Sequence, residues 1–368
     1  MTAPAEQALP LEPLADFLRR EAGLDATDLE IRQLAGGSSN LTYMVETGGR
    51  QFVLRHPPLG HGLASAHDMG REYRVLAALG KTAVPVPQVL AYCEDESLIG
   101  ADFYLMEFID GVILADKPPV AEIPAGFATT PAERHAIGAG LIDALVALHA
   151  VDYTAVGLAD FGRPDGYTAR QVRRWANQWH EWQTRESPAM EELLRRLQAA
   201  VPDSPEHTIV HGDFRLGNCI LDRESPGTVR AVLDWEMSTL GDPIADLGYC
   251  MVYWGEPGDP PARFSAMDLS KVTANPGFMA RRDLIERYAQ QTGRDVSTVD
   301  FYEMLARVKL AVFGERGYAR ILQAERDGVA IVEAPSRRQG RQRCDEHVEV
   351  ALALGDASEN PALRGERS

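Results

Sequence analysis

Basic residues are in short supply in this chain. Lys and Arg number 37 against 54 Asp and Glu, a formal net charge of −17 over 368 residues. Nucleic-acid surfaces need clustered cations to displace counterions from phosphate, so no nucleic-acid partner is expected. Cysteine is sparse too. Cys93, Cys219, Cys250 and Cys344 are scattered and share no metal-ligand spacing, and they read as free thiols in a reducing compartment. Long apolar runs are missing: none reaches the roughly 18 residues that cross a bilayer. Met1–Glu12 has neither the basic start nor the apolar stretch of a signal peptide. A cytoplasmic protein with no membrane partner is the expectation. No internal repeat is visible.

What is present suits a soluble domain with a sizeable core, at 45% hydrophobic and 25% charged residues. Leu11–Ala22 has helical spacing. Leu29–Gln33, Leu41–Glu46 and Gln51–Arg55 read as short strands, the last two joined by a Gly48-Gly49 turn. Ala66–Leu79 reads as a helix, Pro85-Val86-Pro87 interrupts, and Gln88–Cys93 and Asp102–Phe108 supply two more strands. Lys117–Pro131 is rich in Pro, Ala and Thr and reads as loop. Beyond it the pattern turns helical: Ile137, Leu141, Leu145 and Leu148 form one stripe, Trp175, Trp179 and Trp182 another, and Ala280–Gln291 and Tyr302–Gln323 follow. Arg364–Ser368 looks like a frayed tail. The expected architecture is α+β: a small antiparallel β-rich lobe over 1–108 and a mainly helical lobe over 109–368.

Two short loops between apolar strands carry the chemistry. The first is His211-Gly212-Asp213-Phe214-Arg215-Leu216-Gly217-Asn218, and the second holds Asp234 within Val232-Leu233-Asp234-Trp235-Glu236. A carboxylate, a carboxamide five residues on and a second carboxylate downstream suit phosphoryl transfer from a metal–nucleotide. Asp213 would orient and deprotonate an attacking hydroxyl, while Asn218 and Asp234 would offer hard oxygen ligands to Mg²⁺. Asp and Asn at such positions also make turns and caps in proteins with no such function. The apolar runs Ile209-Val210, Cys219-Ile220-Leu221 and Val229–Leu233 around them favour the catalytic reading.

These two loops, with Gly241-Asp242-Pro243 and Asp246-Leu247, resemble the aminoglycoside phosphotransferase/choline kinase-like superfamily. Gly36-Gly37-Ser38-Ser39-Asn40, Val53-Leu54-Arg55-His56-Pro57-Pro58, Arg71-Glu72-Tyr73 and Arg170-Gln171 before Trp175 look most like its acyl-CoA dehydrogenase-associated branch. The resemblance spans roughly 29–310. It implies a protein kinase-like two-lobe fold, ATP and Mg²⁺ as cofactors, and a small-molecule hydroxyl as acceptor, with hydroxyacyl compounds the choice that the branch suggests. Gly37, Ser38, Ser39 and Asn40 would lie over the phosphates. Arg55 stands where most kinases have a phosphate-binding lysine, and Glu72 would pair with it. Glu107 and Phe108 would sit at the hinge that receives adenine; a plain edge-strand role fits them equally.

Other residues read as support. His211 is expected to bond backbone near Asp234 and stiffen the loop. Asp242 and Asp246 are expected to cap the helix after the metal loop. The tryptophan stripe reads as core, with Arg170, Arg173 and Arg174 beside it as candidates for contact with an anionic acceptor. Two alternatives stay open. One is a catalytically silent nucleotide-binding module, kept alive by Arg55. The other is a protein Ser/Thr kinase, disfavoured by Gly212 before Asp213 and by the lack of an Ala-Pro-Glu anchor after Asp234.

Overall fold

The structure is a computed structural model that describes residues 9–34, 40–58, 68–114, 122–203, 206–265, 269–327 and 337–366. The amino-terminal helix α1 (Leu11–Glu21) leads to strands β1 (Glu30–Gln33), β2 (Leu41–Thr47) and β3 (Arg50–His56). Helix α2 (Met69–Leu79) follows, then β4 (Val89–Cys93) and β5 (Phe103–Glu107). The five strands form one antiparallel sheet in the order β1-β2-β3-β5-β4. Gly48 and Gly49, at φ of 57° and 69°, make the two-residue turn between β2 and β3, which requires positive φ at both positions. β5 is therefore an interior strand, because β3 and β4 flank it.

Strand parity decides which side chains face α2. Phe52, Leu54, Phe103 and Leu105 pack with Leu14, Phe17 and Leu18 of α1, with the Phe17 and Phe103 rings edge to face at 5.1 Å. The alternate residues Val53, Tyr104 and Met106 pack with Met69, Val75, Leu76 and Leu79 of α2. Arg55 lies two positions beyond Val53 and opposite Tyr104 in the ladder, so the period of two carries its side chain to the α2 face.

The second lobe is mainly helical. It comprises α3 (Pro131–His149), α4 (Tyr167–Trp182), α5 (Pro188–Ala199), β6 (Thr208–Val210), β7 (Cys219–Leu221), β8 (Val229–Val232), β9 (Thr239–Gly241) and α6 (Ile244–Val252). Beyond these come α7 (Pro261–Ser265), α8 (Leu269–Thr273), α9 (Arg281–Thr292), α10 (Val299–Arg326) and α11 (Arg337–Ala357). β6 pairs with β9 and β7 with β8, giving two small ribbons. α10 is the lobe's axis and packs on α4, α5, α6 and α11; Met304, Val308, Ala311 and Val312 are fully buried. Burial of such aliphatic side chains contributes roughly 1.5–3 kcal/mol each.

The expected helices are present, with differences at their ends. The loop foreseen through Pro131 stops at Thr130, where a capping box with Glu133 and Pro131 at the first helical position starts α3. α5 and α11 were not foreseen. The first is a short helix after a Ser187-Pro188 start, and the second opens on a polar run with no apolar stripe. The frayed tail is a correction for 364–366. Leu363 is buried, Arg196 of α5 donates to its carbonyl at 3.1 Å, and Arg364 donates to the Ser358 carbonyl at 2.8 Å. All four cysteines are free and buried, and no helix among the described residues is long and apolar enough to cross a membrane.

The two lobes share one core. The cluster beneath the sheet continues into Leu141, Leu145, Phe161 and Trp235. After β5 the chain pairs back on the large lobe, Val112 and Leu221 exchanging two backbone hydrogen bonds of 2.8 Å. Gly111 makes this approach possible, since a Cβ there would lie 2.3 Å from Ile220 Cγ2 and 2.5 Å from the Leu221 carbonyl oxygen. Arg71 of α2 spans the lobes. Its guanidinium donates to the Phe161 carbonyl and, at 3.0 Å, to the Ser238 carbonyl, and it stacks 3.8 Å from the centre of the Phe161 ring.

Candidate active site

The 211–218 loop leaves β6 and is gripped at once from below. Asp246, fully buried on α6, accepts the His211 N–H at 2.7 Å and the Gly212 N–H at 2.8 Å. His149 of α3 lies 3.3 Å from the same carboxylate. Asp246 thus holds the loop rather than capping α6. Asp242 does the capping, accepting the Ile244 N–H at 2.8 Å and the Tyr302 hydroxyl at 2.5 Å. Gly212 is left-handed at φ 81°, and a Cβ on it would meet the Met237 carbonyl oxygen at 2.7 Å. Only glycine fits that turn without strain.

His211 ties this loop to the next. Its Nδ1 lies 3.2 Å from the Asp213 amide nitrogen, which can only donate, so Nδ1 accepts. The ring proton therefore belongs on Nε2, which donates to the Leu233 carbonyl at 2.9 Å. Leu233 in turn donates its N–H to the Asn218 carbonyl at 2.8 Å. The residue before Asp234 is thus pinned at both ends to the 211–218 loop. Asp234 itself is left-handed at φ 67°, a conformation that costs a non-glycine residue about 1–2 kcal/mol.

Asp213 and Asn218 sit side by side. Asn218 Nδ2 donates to the Asp213 carbonyl at 2.9 Å and to its Oδ2 at 2.8 Å, which spends both amide hydrogens and turns the amide oxygen away. Arg215 Nε approaches Asp213 Oδ2 at 3.4 Å. Burial alone would raise the Asp213 pKa, but Arg215, Lys309 and a hydrogen bond from the Tyr249 hydroxyl outweigh it and hold the group below the ordinary carboxylate range. An ionised carboxylate at neutral pH is what a hydroxyl-orienting base requires.

On the sheet side, Arg55 Nη2 lies 3.2 Å from Asp234 Oδ1, and Arg55 Nη1 lies 3.7 Å from Glu72 Oε2. Glu72 accepts from Asn40 Nδ2 at 2.9 Å and from the Tyr104 hydroxyl at 2.8 Å. The Arg55 and Glu72 side chains are only 12% and 2% exposed, so this is no surface ion pair. Burial raises Glu72 above the usual carboxylate range despite Arg55 and its two hydrogen bonds. Burial alone would weaken the Arg55 charge, yet Tyr104, Glu72 and Asp234 more than offset it and the guanidinium stays charged. Among the described residues the buried Arg55 Nε and Asn40 Oδ1 have no hydrogen-bond partner.

The chain as a whole is similar to known proteins. The profile of the phosphotransferase enzyme family covers residues 30–279. The chain belongs to that family. Its relatives include mouse acyl-CoA dehydrogenase family member 10, 37% identical over 86% of this chain. The chain spans only 29% of that relative's length. Escherichia coli hygromycin-B 4-O-kinase is 27% identical, covering 58% of this chain and 59% of the enzyme. Among solved structures, a Ralstonia eutropha protein provisionally described as an aminoglycoside phosphotransferase superposes with a TM-score of 0.76 at 31% identity, over 94% of this chain and 99% of that one. Membership makes this phosphotransferase a small-molecule kinase, on a protein kinase-like fold with an antiparallel sheet lobe and a helical remainder.

The remaining candidates fall unevenly in the phosphotransferase. Gly37, Ser38 and Ser39 lie outside the described residues, and of that loop only Asn40 is placed, on Glu72. The Glu107 N–H donates to the Gln88 carbonyl at 2.9 Å, and its carboxylate accepts the Gln88 N–H at 2.9 Å, so its own N–H is engaged in the sheet. Phe108 is half-buried against the shared core. Trp175 and Trp179 are core, while Trp182 is half-buried. Arg170 turns back onto the Arg163 and Asp165 carbonyls. Arg173 and Arg174 stay exposed, Arg174 with its guanidinium 5.1 Å from the Trp175 ring centre.

Three residues beside Asp213 went unnoticed in the sequence. Tyr249 lies on α6, Arg215 inside the motif itself, and Lys309 on α10, where its Nζ donates to the Gly212 carbonyl at 2.7 Å. The available signal for Lys309 was a lone ammonium amid Leu305, Val308, Leu310 and Val312 of a buried helix.

Proposed function

We propose that this phosphotransferase moves the γ-phosphoryl group of ATP, in a Mg²⁺-dependent reaction, onto a hydroxyl of a small molecule. One observation carries the reading: Leu233 is bonded at both ends to the 211–218 loop, which holds the loop of Asp213 and Asn218 beside that of Asp234, and Arg55 lies against Asp234. The donor set fits Mg²⁺. A carboxamide oxygen and a carboxylate are hard ligands of the kind that ion takes in ones and twos, phosphate and water completing its shell.

Asp213 accepts the proton of the acceptor hydroxyl as its oxygen bonds to phosphorus and the bond to the ADP oxygen breaks. Asn218 keeps the Asp213 carboxylate aimed and, with Asp234, would ligate Mg²⁺. When bound, that ion would neutralise charge on the transferring phosphates. Arg55, braced by Glu72 and its partners Asn40 and Tyr104, binds phosphate bidentately. Gly37, Ser38 and Ser39 would supply backbone donors over the phosphates, and the chain at Glu107–Phe108 would receive adenine. The division into 1–108 for nucleotide and 109–368 for catalysis and acceptor belongs to this reading, as does a cytoplasmic setting.

The matched relatives that carry acyl-CoA dehydrogenase names make hydroxyacyl compounds the first acceptors to try. ³¹P NMR of reactions with MgATP and a panel of hydroxyacyl compounds, choline-like alcohols and aminoglycosides tests this. A phosphoester formed only with the first group is the expected result. A phosphoester with aminoglycosides alone would overturn the acceptor class, and phosphorylation of none with no nucleotide binding would overturn the function.

A further inference from the structure

Lys309 sits nearly fully buried in the middle of α10. Among the described residues its ammonium makes one hydrogen bond, to the Gly212 carbonyl, and no direct ion pair; burial weakens its charge, and the Asp213 and Asp246 carboxylates sustain it from beyond contact. Aromatic rings enclose it, with the centres of Tyr249, Phe313 and Trp175 at 4.3, 5.8 and 6.0 Å. Taking an ammonium out of water costs several kcal/mol unless a carboxylate compensates. The α10 neighbours Leu305, Val308, Leu310 and Val312 are apolar, so a methionine would fill the space at less cost. The fold alone does not account for the charge.

Gly212 does. Its N–H is held by the buried Asp246 and its carbonyl by Lys309, so the left-handed turn before Asp213 is clamped between a buried anion and a buried cation. The same ammonium lies over the ring of Tyr249 at 4.3 Å, and both groups act on Asp213, holding its carboxyl below the ordinary range. We infer that Lys309 is a positioning residue for the transfer: through the Gly212 carbonyl and the Tyr249 ring it fixes the direction in which Asp213 presents its carboxylate. This rests on Asp213 as the base. A displacement of about 1 Å at such a group can cost on the order of a hundredfold in rate.

The test is ADP release from MgATP, with water as the acceptor, measured beside MgADP affinity and urea unfolding for wild type, D213N, K309M and K309Q. K309M should be as stable as wild type or more so, bind MgADP normally, and release ADP at least tenfold more slowly. K309Q, which keeps a donor for the Gly212 carbonyl, should recover part of the loss. Wild-type turnover in K309M, or a loss of turnover matched by loss of stability in both Lys309 variants, would overturn the inference. Wild-type turnover in D213N would instead remove Asp213 as the base.

Discussion

The Arg55 guanidinium joins its strand to both lobes, 3.2 Å from Asp234 in the large lobe and 3.7 Å from Glu72 on α2. One cation therefore links the sheet, α2 and the candidate metal loop. A nucleotide's phosphates would take over part of the place that Asp234 holds against Arg55.

Arg55→Met leaves the Glu72 carboxylate buried without its cation. Such half-pairs destabilise by about 3–5 kcal/mol, so the melting temperature should fall. MgADP affinity, measured by calorimetry, should fall at least tenfold, with Arg55→Lys retaining part of it. Unchanged affinity in Arg55→Met would remove Arg55 from the phosphate site.

Gly212→Ala places a Cβ 2.7 Å from the Met237 carbonyl oxygen at a φ of 81°. The strain is on the order of 1–3 kcal/mol. Turnover should drop more sharply than stability, because the shifted peptide carries Asp213 with it. Equal kcat in the variant and the wild type would show that the turn tolerates a side chain.

Arg71→Ala removes two hydrogen bonds to carbonyls of the large lobe and a stacked ring. Urea unfolding should register a loss of at least roughly 1.5–3 kcal/mol, the range for a single bond from a charged donor. If stability is unchanged, α2 is held to the large lobe by other contacts.

His347 on α11 is buried, and burial, together with Arg307 and Arg343, pushes its pKa down to about 3. The unfolded chain binds a proton at this imidazole near pH 6.5 while the folded one does not. The resulting stabilisation is complete above about pH 6.5 and fades as pH falls toward 3. Replacing His347 by Gln should flatten the pH dependence of the melting temperature across that window. An identical slope in the variant would contradict the assignment.

How much was legible in the sequence follows from how local each signal is. The β2–β3 turn was readable because Gly48-Gly49 is local chemistry, and the placement of Arg55 on the α2 face follows from strand parity once the register is known. The pairing of Asp213 with Asn218 was legible because both lie within one short loop. Asp246 illustrates the opposite. Its position at the start of α6 suggested a cap, but its carboxylate reaches 34 and 35 residues back to Gly212 and His211, and no local rule encodes that reach. Lys309 is 97 residues from the carbonyl it holds, a relation set by packing of α10 on α6.

On the proposed function, Asp234 works through the metal–nucleotide and Asp213 through the acceptor. Calorimetric binding of ATP, with and without Mg²⁺, to wild type, Asp213→Asn and Asp234→Asn tests it most directly. Asp213→Asn should bind like the wild type while its turnover falls by roughly a hundredfold or more, the scale of a lost general base. Asp234→Asn should lose the Mg²⁺-dependent part of the affinity. Mg²⁺-dependent binding preserved in Asp234→Asn, or abolished in Asp213→Asn, would contradict the account.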